Sequence, residues 1–445
     1  MTRRICLALP TNRACPETLT AIGAEADHAA RHFGVEVHLL ILDSCDRPVF
    51  QEHADVLAAG TRAPGVHVHH LDEDVQRAFL RRVLEEAPET ERDRLLEMML
   101  PSGVSYGACT NRAFLIAAAL GCESVHRRDS DSAYQLQRDG APAHPVHPEL
   151  TFLGRRAGDA VDDATRSELD PAVADRDVVL AGGSFIGELS VDIGEMEALD
   201  PEVYHDVVSL WAPPEWPESR KRELVAESFR GAGTEPYVRD HTLLGVVDPM
   251  RVDMCNIALR REVYEEVPLP PARDTIGSDY FLLHLVHDAK LPGVLHNRDI
   301  VNFYTPERRT DAGFRAYHRR LAKFFLSMLH FNDIYDRMAA GSADLLDGDL
   351  RVRPAEIARL ARRSAVLDRS DNVHRLAVMD RSYRKLGGRY AEFADLLAEE
   401  GPRLLDEARE DIEDFARLTD AWGAMVRTAR TAGLHEPAAA SGPGR

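Results

Sequence analysis

The first apolar run is Ile5-Cys6-Leu7-Ala8-Leu9, with no polar alternation, which predicts a strand over residues 4–9 buried on both faces. Thr18 to Phe33 carries Ala, Ile and His on a 3.6-residue stripe and reads as a helix. Val35 to Leu42 is a second strand, ending at Asp43-Ser44-Cys45-Asp46, and Val66 to His70 is a third. Alternating strands and helices predict a parallel, helix-covered sheet. Residues 72–99 are charged and helical, and Asp72-Glu73-Asp74 reads as a solvated helix start. Ser105 to Leu120 is a helix with small residues on one side.

Further on, residues 136–176 are rich in Pro, His, Asp and Arg and read as an excursion or flexible loop. Asp177 to Ile186 is strand-like, and residues 212–240 look like an insertion. Asp253 to Leu259 is extended, followed by a helix from Arg260 to Val267. Leu269-Pro270-Pro271 is a loop, Asp279 to Ala289 a helix, and Val294 to Tyr304 a strand. From Ala312 to Thr431 the pattern is helical, broken near Gly341–Gly348 and at Gly401-Pro402. Phe314, Tyr317, Leu321, Phe324, Phe325 and Met328 follow the spacing of a buried helix face. The expected organisation is a domain over 1–310, a helical C-terminal domain over 311–435, and a disordered Pro/Ala/Gly-rich tail over 436–445.

Composition narrows the classes. A net charge of −20 argues against nucleic acid as a main partner, though a small nucleotide can still be neutralised locally. No apolar run approaches the 18 residues of a membrane span. The apolar stretch after Met1 meets Pro10 too early for a secretory leader. The six cysteines are scattered with no C-x-x-C pair, which argues against structural zinc and for a reduced, cytoplasmic setting.

Candidate chemistry centres on Asp129-Ser130-Asp131. An apolar helix, a Gly stop and a short strand lead straight into these two carboxylates. Such spacing at a strand end suits a divalent cation bridging a diphosphate, and it also suits an ordinary polar loop. Ligands of open α/β sheets bind beyond the carboxyl ends of strands. Pro10-Thr11-Asn12-Arg13 and Asp43 therefore face the same crevice. Arg13 could meet a phosphate, and Asp43 could accept a bond from a base or ribose or serve only as a turn residue. Asn111-Arg112, near the start of the helix opened by Tyr106-Gly107, could reach a nucleotide or be plain capping with one solvent-facing Arg.

The order Leu9-Pro10-Thr11-Asn12, Asp43, Gly107…Asn111-Arg112…Ala119-Leu120-Gly121 and Asp129-Ser130-Asp131 resembles the nucleotide-sugar half of the GT-A glycosyltransferases. Val252 to Tyr264 is similar to their acceptor-side strand and helix. Gly277-Ser278-Asp279-Tyr280 stands where that fold places an acidic catalytic or acceptor-binding residue, and Leu295-His296-Asn297-Arg298 where some members supply a histidine to the metal. The resemblance spans roughly residues 4–310 and is one of pattern and order. The chain departs from it in the late helix start after Arg13, in Gly-Ser-Asp-Tyr where an acidic pair is commoner, and in the length of 136–176.

The resemblance implies an α/β, GT-A-like, mostly parallel sheet with helices on both faces, and beyond it the C-terminal helical region. It implies a metal-dependent glycosyltransferase moving sugar from a nucleoside-diphosphate sugar, of UDP or GDP type; the lack of a membrane span favours a small soluble acceptor, such as a specialised metabolite, over a lipid carrier. Pro10, Thr11, Asn12, Arg13, Asp43, Asn111, Arg112, Asp129 and Ser130 would bind the donor. Asp129, Asp131 and His296 would hold Mn²⁺ or Mg²⁺, and Asp279 would act as general base or orient the acceptor. His296 could instead be a hydrogen-bonded structural residue, and Asp279 a helix cap. Arg308-Arg309 could close over the diphosphate or be a solvated pair. Gly182-Gly183-Ser184-Phe185 could shape an acceptor pocket or be a tight turn. The C-terminal helices could cap the acceptor cleft or form a homodimer face. Two alternatives stay open: a sugar-phosphate nucleotidyltransferase, which the absence of a Gly-rich loop after the first strand disfavours, and a non-catalytic GT-A-like scaffold. A dinucleotide oxidoreductase would need G-x-G-x-x-G there, which is absent.

Overall fold

Apolar runs without alternation become strands here because both of their faces are covered. The computed structural model describes residues 2–86, 88–188, 193–303, 309–349 and 351–434; Arg308 and the tail 436–445 lie outside them. The strands are β1 (Arg4–Thr11), β2 (Glu36–Asp43), β3 (Val66–Leu71), β4 (Ser124–Arg128), β5 (Ser132–Tyr134) and β6 (Arg166–Ser167). They continue with β7 (Leu180–Gly182), β8 (Phe185–Gly187), β9 (Thr242–Gly245), β10 (Asn256–Arg260), β11 (Gly293–His296) and β12 (Ile300–Asn302). One nine-stranded sheet has the order β3-β2-β1-β4-β10-β7-β11-β9-β6, and a three-stranded sheet the order β5-β12-β8. In the large sheet β3, β2, β1 and β4 pair in parallel, as do β7 with β11 and β6 with β9. β10 runs antiparallel between β4 and β7, and β9 antiparallel to β11. The fold is therefore α/β with a mostly parallel sheet, helices on both faces and a helical C-terminal region.

Side chains alternate across a strand, and β1 divides accordingly. Ile5, Leu7 and Leu9 join the core under the helix Pro16–Phe33, through Leu19, Ile22, Ala26 and Ala29. Cys6 and Ala8 join the opposite core with Phe114 and Leu115 of the helix Tyr106–Ala119. That helix starts where Ser105 accepts a bond from the Ala108 amide at 3.1 Å.

Several expected elements are subdivided. The helical stretch 72–99 is two helices, Glu73–Val83 and Glu89–Met99, separated by Pro88. The strand-like stretches 177–186 and 294–304, of which Tyr304 lies outside the described residues, each split, sending β7 and β11 to the large sheet and β8 and β12 to the small one. The excursion 136–176 is ordered: its helix Val146–Phe152 covers one sheet face, and β6 extends the sheet edge.

The C-terminal region comprises the helices Asp311–Ala340, Pro354–Ala365, Ser370–Leu386 and Gly388–Ala432. The expected interruption between 341 and 348 is present. The break expected at Gly401-Pro402 is not, because the last helix runs through Pro402. An internal proline costs about 3 kcal/mol, and burial of Leu397, Leu404, Phe415 and Trp422 on the same helix outweighs it. The chain turns instead at Gly387-Gly388, where φ is +73° and +51°. Trp422 donates to the Tyr264 carbonyl at 2.8 Å, and Phe415 packs edge-on against Phe281 at 4.7 Å. One apolar core thus runs from β1 into the helical region. Among the described residues no helix is long and apolar enough to cross a membrane.

Candidate active site

The site grows out of β4. Val125 and Arg127 point to the face that carries the C-terminal helices, whereas His126 and Arg128 point to the face of the helix Pro16–Phe33. Asp129-Ser130-Asp131 is the turn by which the chain leaves β4 and enters β5 in the small sheet. The Ser132 hydroxyl donates to the Asp129 carbonyl at 2.8 Å, and the Thr18 hydroxyl to the Ser130 carbonyl at 3.2 Å, which holds the turn against the first helix.

Among the described residues, two guanidinium groups reach the carboxylates. Arg127 donates to Asp279 at 2.6 Å and to Asp129 at 3.0 Å. Arg13 donates to Asp131 at 2.8 Å. A fourth carboxylate, Asp253, accepts a bond from the Tyr280 hydroxyl at 2.6 Å. Asp279 lies in the turn Ser278–Tyr280 that leads into the helix Phe281–Asp288, after Gly277 at φ +74°.

Two clefts meet at this cluster. The first, of about 1840 Å³, opens beyond the ends of β1, β2 and β4 and is lined by Pro10, Thr11, Asn12, Arg13, Ser130 and Arg112, with Arg320 reaching in from the helix Asp311–Ala340. The second, of about 1300 Å³, contains Asp253, Asp279 and Tyr280 and is walled by aromatic side chains. Tyr106, Arg127, Asp129, Asp131 and Tyr317 line both.

Electrostatics set the character of the junction. Among the described residues, Asp129, Asp131, Asp253 and Asp279 face Arg127 and Arg13, which leaves carboxylate in excess there. Burial pushes Asp129 up to about 6; Arg127 opposes the shift, while Asp131, Asp253 and Asp279 add to it. Hard carboxylate oxygens with an excess of negative charge fit a divalent cation of the Mg²⁺ or Mn²⁺ type.

Three residues expected at the site are elsewhere. Asp43 is fully buried and lines neither cleft; Leu42 and Ser44 on either side of it do. Its carboxylate accepts from His53 at 2.7 Å, His70 at 2.9 Å and the Cys45 amide at 2.9 Å. Asp43, His53 and His70 have ligand-type atoms within 4.8 Å of one another, the one such trio found among the described residues. His53 Nε2 accepts from the Cys15 amide at 3.1 Å, so its proton sits on Nδ1 and is donated to Asp43. Asn111 is also fully buried, and its amide clamps Leu269 through two 2.8 Å bonds. The adjacent Gly107 allows this approach, since a Cβ there would stand 1.9 Å from the Pro270 carbonyl oxygen.

His296 is buried on β11, three strands from β4 in the sheet order, and lines a third cleft. Its Nε2 lies 3.9 Å from Glu149, away from Asp129 and Asp131. Arg112 does line the first cleft, but as a buried group held by Gln76 at 2.7 Å and the Met99 carbonyl at 2.6 Å, where a solvent-facing Arg was the alternative. Arg309 pairs with Glu188. Ser184 and Phe185 line the second cleft.

Arg127, Asp253, Tyr106, Tyr317 and Arg320 escaped sequence reasoning. Arg127 alone had a readable signal, because it sits two residues before Asp129 on the strand leading into the turn.

A family model described as "Family of unknown function (DUF6271)" matches residues 3–438. No curated protein matches the sequence. Among solved structures, a mycobacterial protein is similar at 17% identity, covering 73% of this chain and 74% of that one, with a TM-score of 0.35. The mannosyltransferase PcManGT from Pyrobaculum calidifontis, in complex with GDP-Man and Mn²⁺, is similar at 14% identity over 98% of this chain and 88% of that one, with a TM-score of 0.34. Mouse xyloside xylosyltransferase 1 is similar at 11% identity over 64% and 75%, with a TM-score of 0.25. Likeness at this level assigns neither donor nor reaction to this chain.

Proposed function

The chain belongs to the DUF6271 family, and we propose that it is a metal-dependent glycosyltransferase that uses a nucleoside-diphosphate sugar. One observation carries the reading: the carboxylate-rich turn after β4 stands where a cleft at the strand ends, into which Arg13, Arg112 and Arg320 face, meets an aromatic cleft with its own carboxylates. A donor and an acceptor entering by separate clefts would meet at that turn, as a two-substrate transfer requires.

Residue roles follow from placement. Arg13, Arg112 and Arg320 offer guanidinium groups to a diphosphate in the first cleft. Pro10 and Thr11, the last residues of β1, and Asn12 just beyond them shape the wall beside the nucleoside. Asp129 and Asp131 would hold Mn²⁺ or Mg²⁺, which when bound supplies positive charge to the departing diphosphate. Asp279, held by Arg127, and Asp253, held by Tyr280, present carboxylates on the acceptor side, where they receive the hydroxyl as a hydrogen bond and orient it. Arg127 links the two sides by binding Asp129 and Asp279 together.

The test is thermal stabilisation by UDP or GDP with and without Mn²⁺. Metal-dependent stabilisation that disappears in Asp131→Ala supports the transferase. A chain that responds to neither nucleotide refutes it and leaves the scaffold reading. Turnover of a nucleoside triphosphate with a sugar phosphate, releasing pyrophosphate, replaces it with a nucleotidyltransferase.

A further inference from the structure

The second cleft carries a chemical preference of its own. Of the residues it takes from the helix Asp311–Ala340, Tyr317, Phe324, Met328, Phe331 and Tyr335, none is charged. Trp211 stands edge-on to Phe324 at 5.2 Å and 5.4 Å from Phe229, both rings lining the same cavity. Deeper along the helices, His284 stacks on Tyr335 at 3.8 Å and 12°. Burial pushes His284 down to about 3, so its ring is neutral. Its nitrogens have no hydrogen-bond partner among the described residues.

Aromatic faces favour a ring-bearing apolar skeleton through stacking and area burial. A sugar acceptor would bring hydroxyls on every side of its ring to this wall, and buried hydroxyls without partners are strongly disfavoured. Ser184, Glu227 and Asn302 also line the cleft, but Asp279 shares Arg127 with Asp129 and Asp253 adds negative charge beside Asp129, so the acceptor's hydroxyl belongs at Asp253 and Asp279, beside the junction. The neutral His284 ring offers one hydrogen bond to a second polar group.

Resting on the transferase reading above, we propose that the acceptor is a hydroxylated aromatic or polycyclic molecule, seated against Trp211, Phe324 and Tyr335 with its hydroxyl at Asp253 and Asp279. The acceptor oxygen forms a bond to the anomeric carbon of the donor as the bond from that carbon to the diphosphate oxygen breaks. The electron pair leaves with the nucleoside diphosphate, and the hydroxyl proton passes to a carboxylate of the pair.

The experiment is calorimetric titration of the full chain with 2-naphthol and, separately, with methyl α-mannoside, beside a titration with UDP or GDP plus Mn²⁺. The expected result is saturable 2-naphthol binding, weakened at least about tenfold in Trp211→Ala and in Phe229→Ala while nucleotide binding is kept, and no saturation with the mannoside. Retained nucleotide binding also establishes that the variants fold. Saturable mannoside binding, absence of 2-naphthol binding, or wild-type naphthol affinity in both variants overturns the proposal. Nucleotide binding with no naphthol binding removes this acceptor class and leaves the transferase standing. Naphthol binding with no nucleotide response keeps the aromatic site and removes the transferase.

Discussion

Arg127 and Arg128 are neighbours on β4, yet they organise two different charge clusters. Arg128 points into the interior, where it binds Glu25 at 2.8 and 3.1 Å and Glu149 at 2.9 Å. The same carboxylates accept from the Val146 amide at 2.8 Å, from His126 at 2.7 Å and from the Tyr134 hydroxyl. Burial alone would raise Glu25 and Glu149, but Arg128 and these hydrogen bonds hold both below the usual carboxylate range. On the opposite face burial and neighbouring carboxylates win, and Asp129 is raised to about 6. Equal residue types one position apart thus end in one cluster where a cation and hydrogen bonds outweigh burial and another where burial and like charge outweigh the cation. Arg128, Glu25 and Glu149 line neither of the two clefts, whereas Arg127 and Asp129 line both and Asp279 lines the second.

The sharpest break of that comparison is Arg128→Met. It leaves two fully buried carboxylates without their cation and is expected to cost about 3–5 kcal/mol, read by chemical denaturation. Next, Asp131→Ala is expected to lower transfer about 100-fold, close to 2.7 kcal/mol in barrier, with little change in melting temperature. If Arg128→Met proves mild while Asp131→Ala unfolds the chain, the two roles are reversed.

Arg127→Met should cost less than its neighbour, about 1–2 kcal/mol, because Asp129 and Asp279 open to clefts where water can reach them. Its larger consequence should be on turnover, measured beside the melt.

Acid should weaken the Arg128 cluster selectively. The folded values of Glu25 and Glu149 lie below the unfolded value of 4.5, so their contribution is complete above that pH and is lost as pH falls through the folded values. Melting temperature should therefore drop on acidification below about pH 4.5. Arg128→Met should flatten that dependence; an unchanged acid limb would disconnect it from this network.

The smallest effect is expected for Asp129→Asn. Removing one carboxylate from an excess should change metal-free stability by no more than about 1 kcal/mol, and in the stabilising direction, while Mn²⁺-dependent nucleotide binding is lost.

Much of the frame was legible locally. The unalternating run at 5–9 announced burial on both faces, and the helix stop at Gly121 before Ser124 located β4 and the turn after it. The first loop and the D-x-D turn do line one cleft, as strand-end geometry requires. Asp43 misled because a strand-end carboxylate can turn inward once His53 and His70 are there to receive it, and both come from other elements. His296 misled because order along the chain says nothing of the two strands that intervene between β4 and β11. Pro402 misled because a single residue's preference was weighed without the long apolar face that carries the helix past it.

The sequence by itself determined the strands β1, β2 and β3, the helix before β4, and that two aspartates follow β4, since those depend on periodicity within ten or twenty residues. Only the tertiary structure decided that Arg127 would meet Asp279, 152 positions away. It also decided that the aromatic face of the helix Asp311–Ala340 would wall the second cleft. Partners of a charge are chosen by packing across the whole chain, and the choice of partners separates the cluster that holds this fold from the one placed to bind.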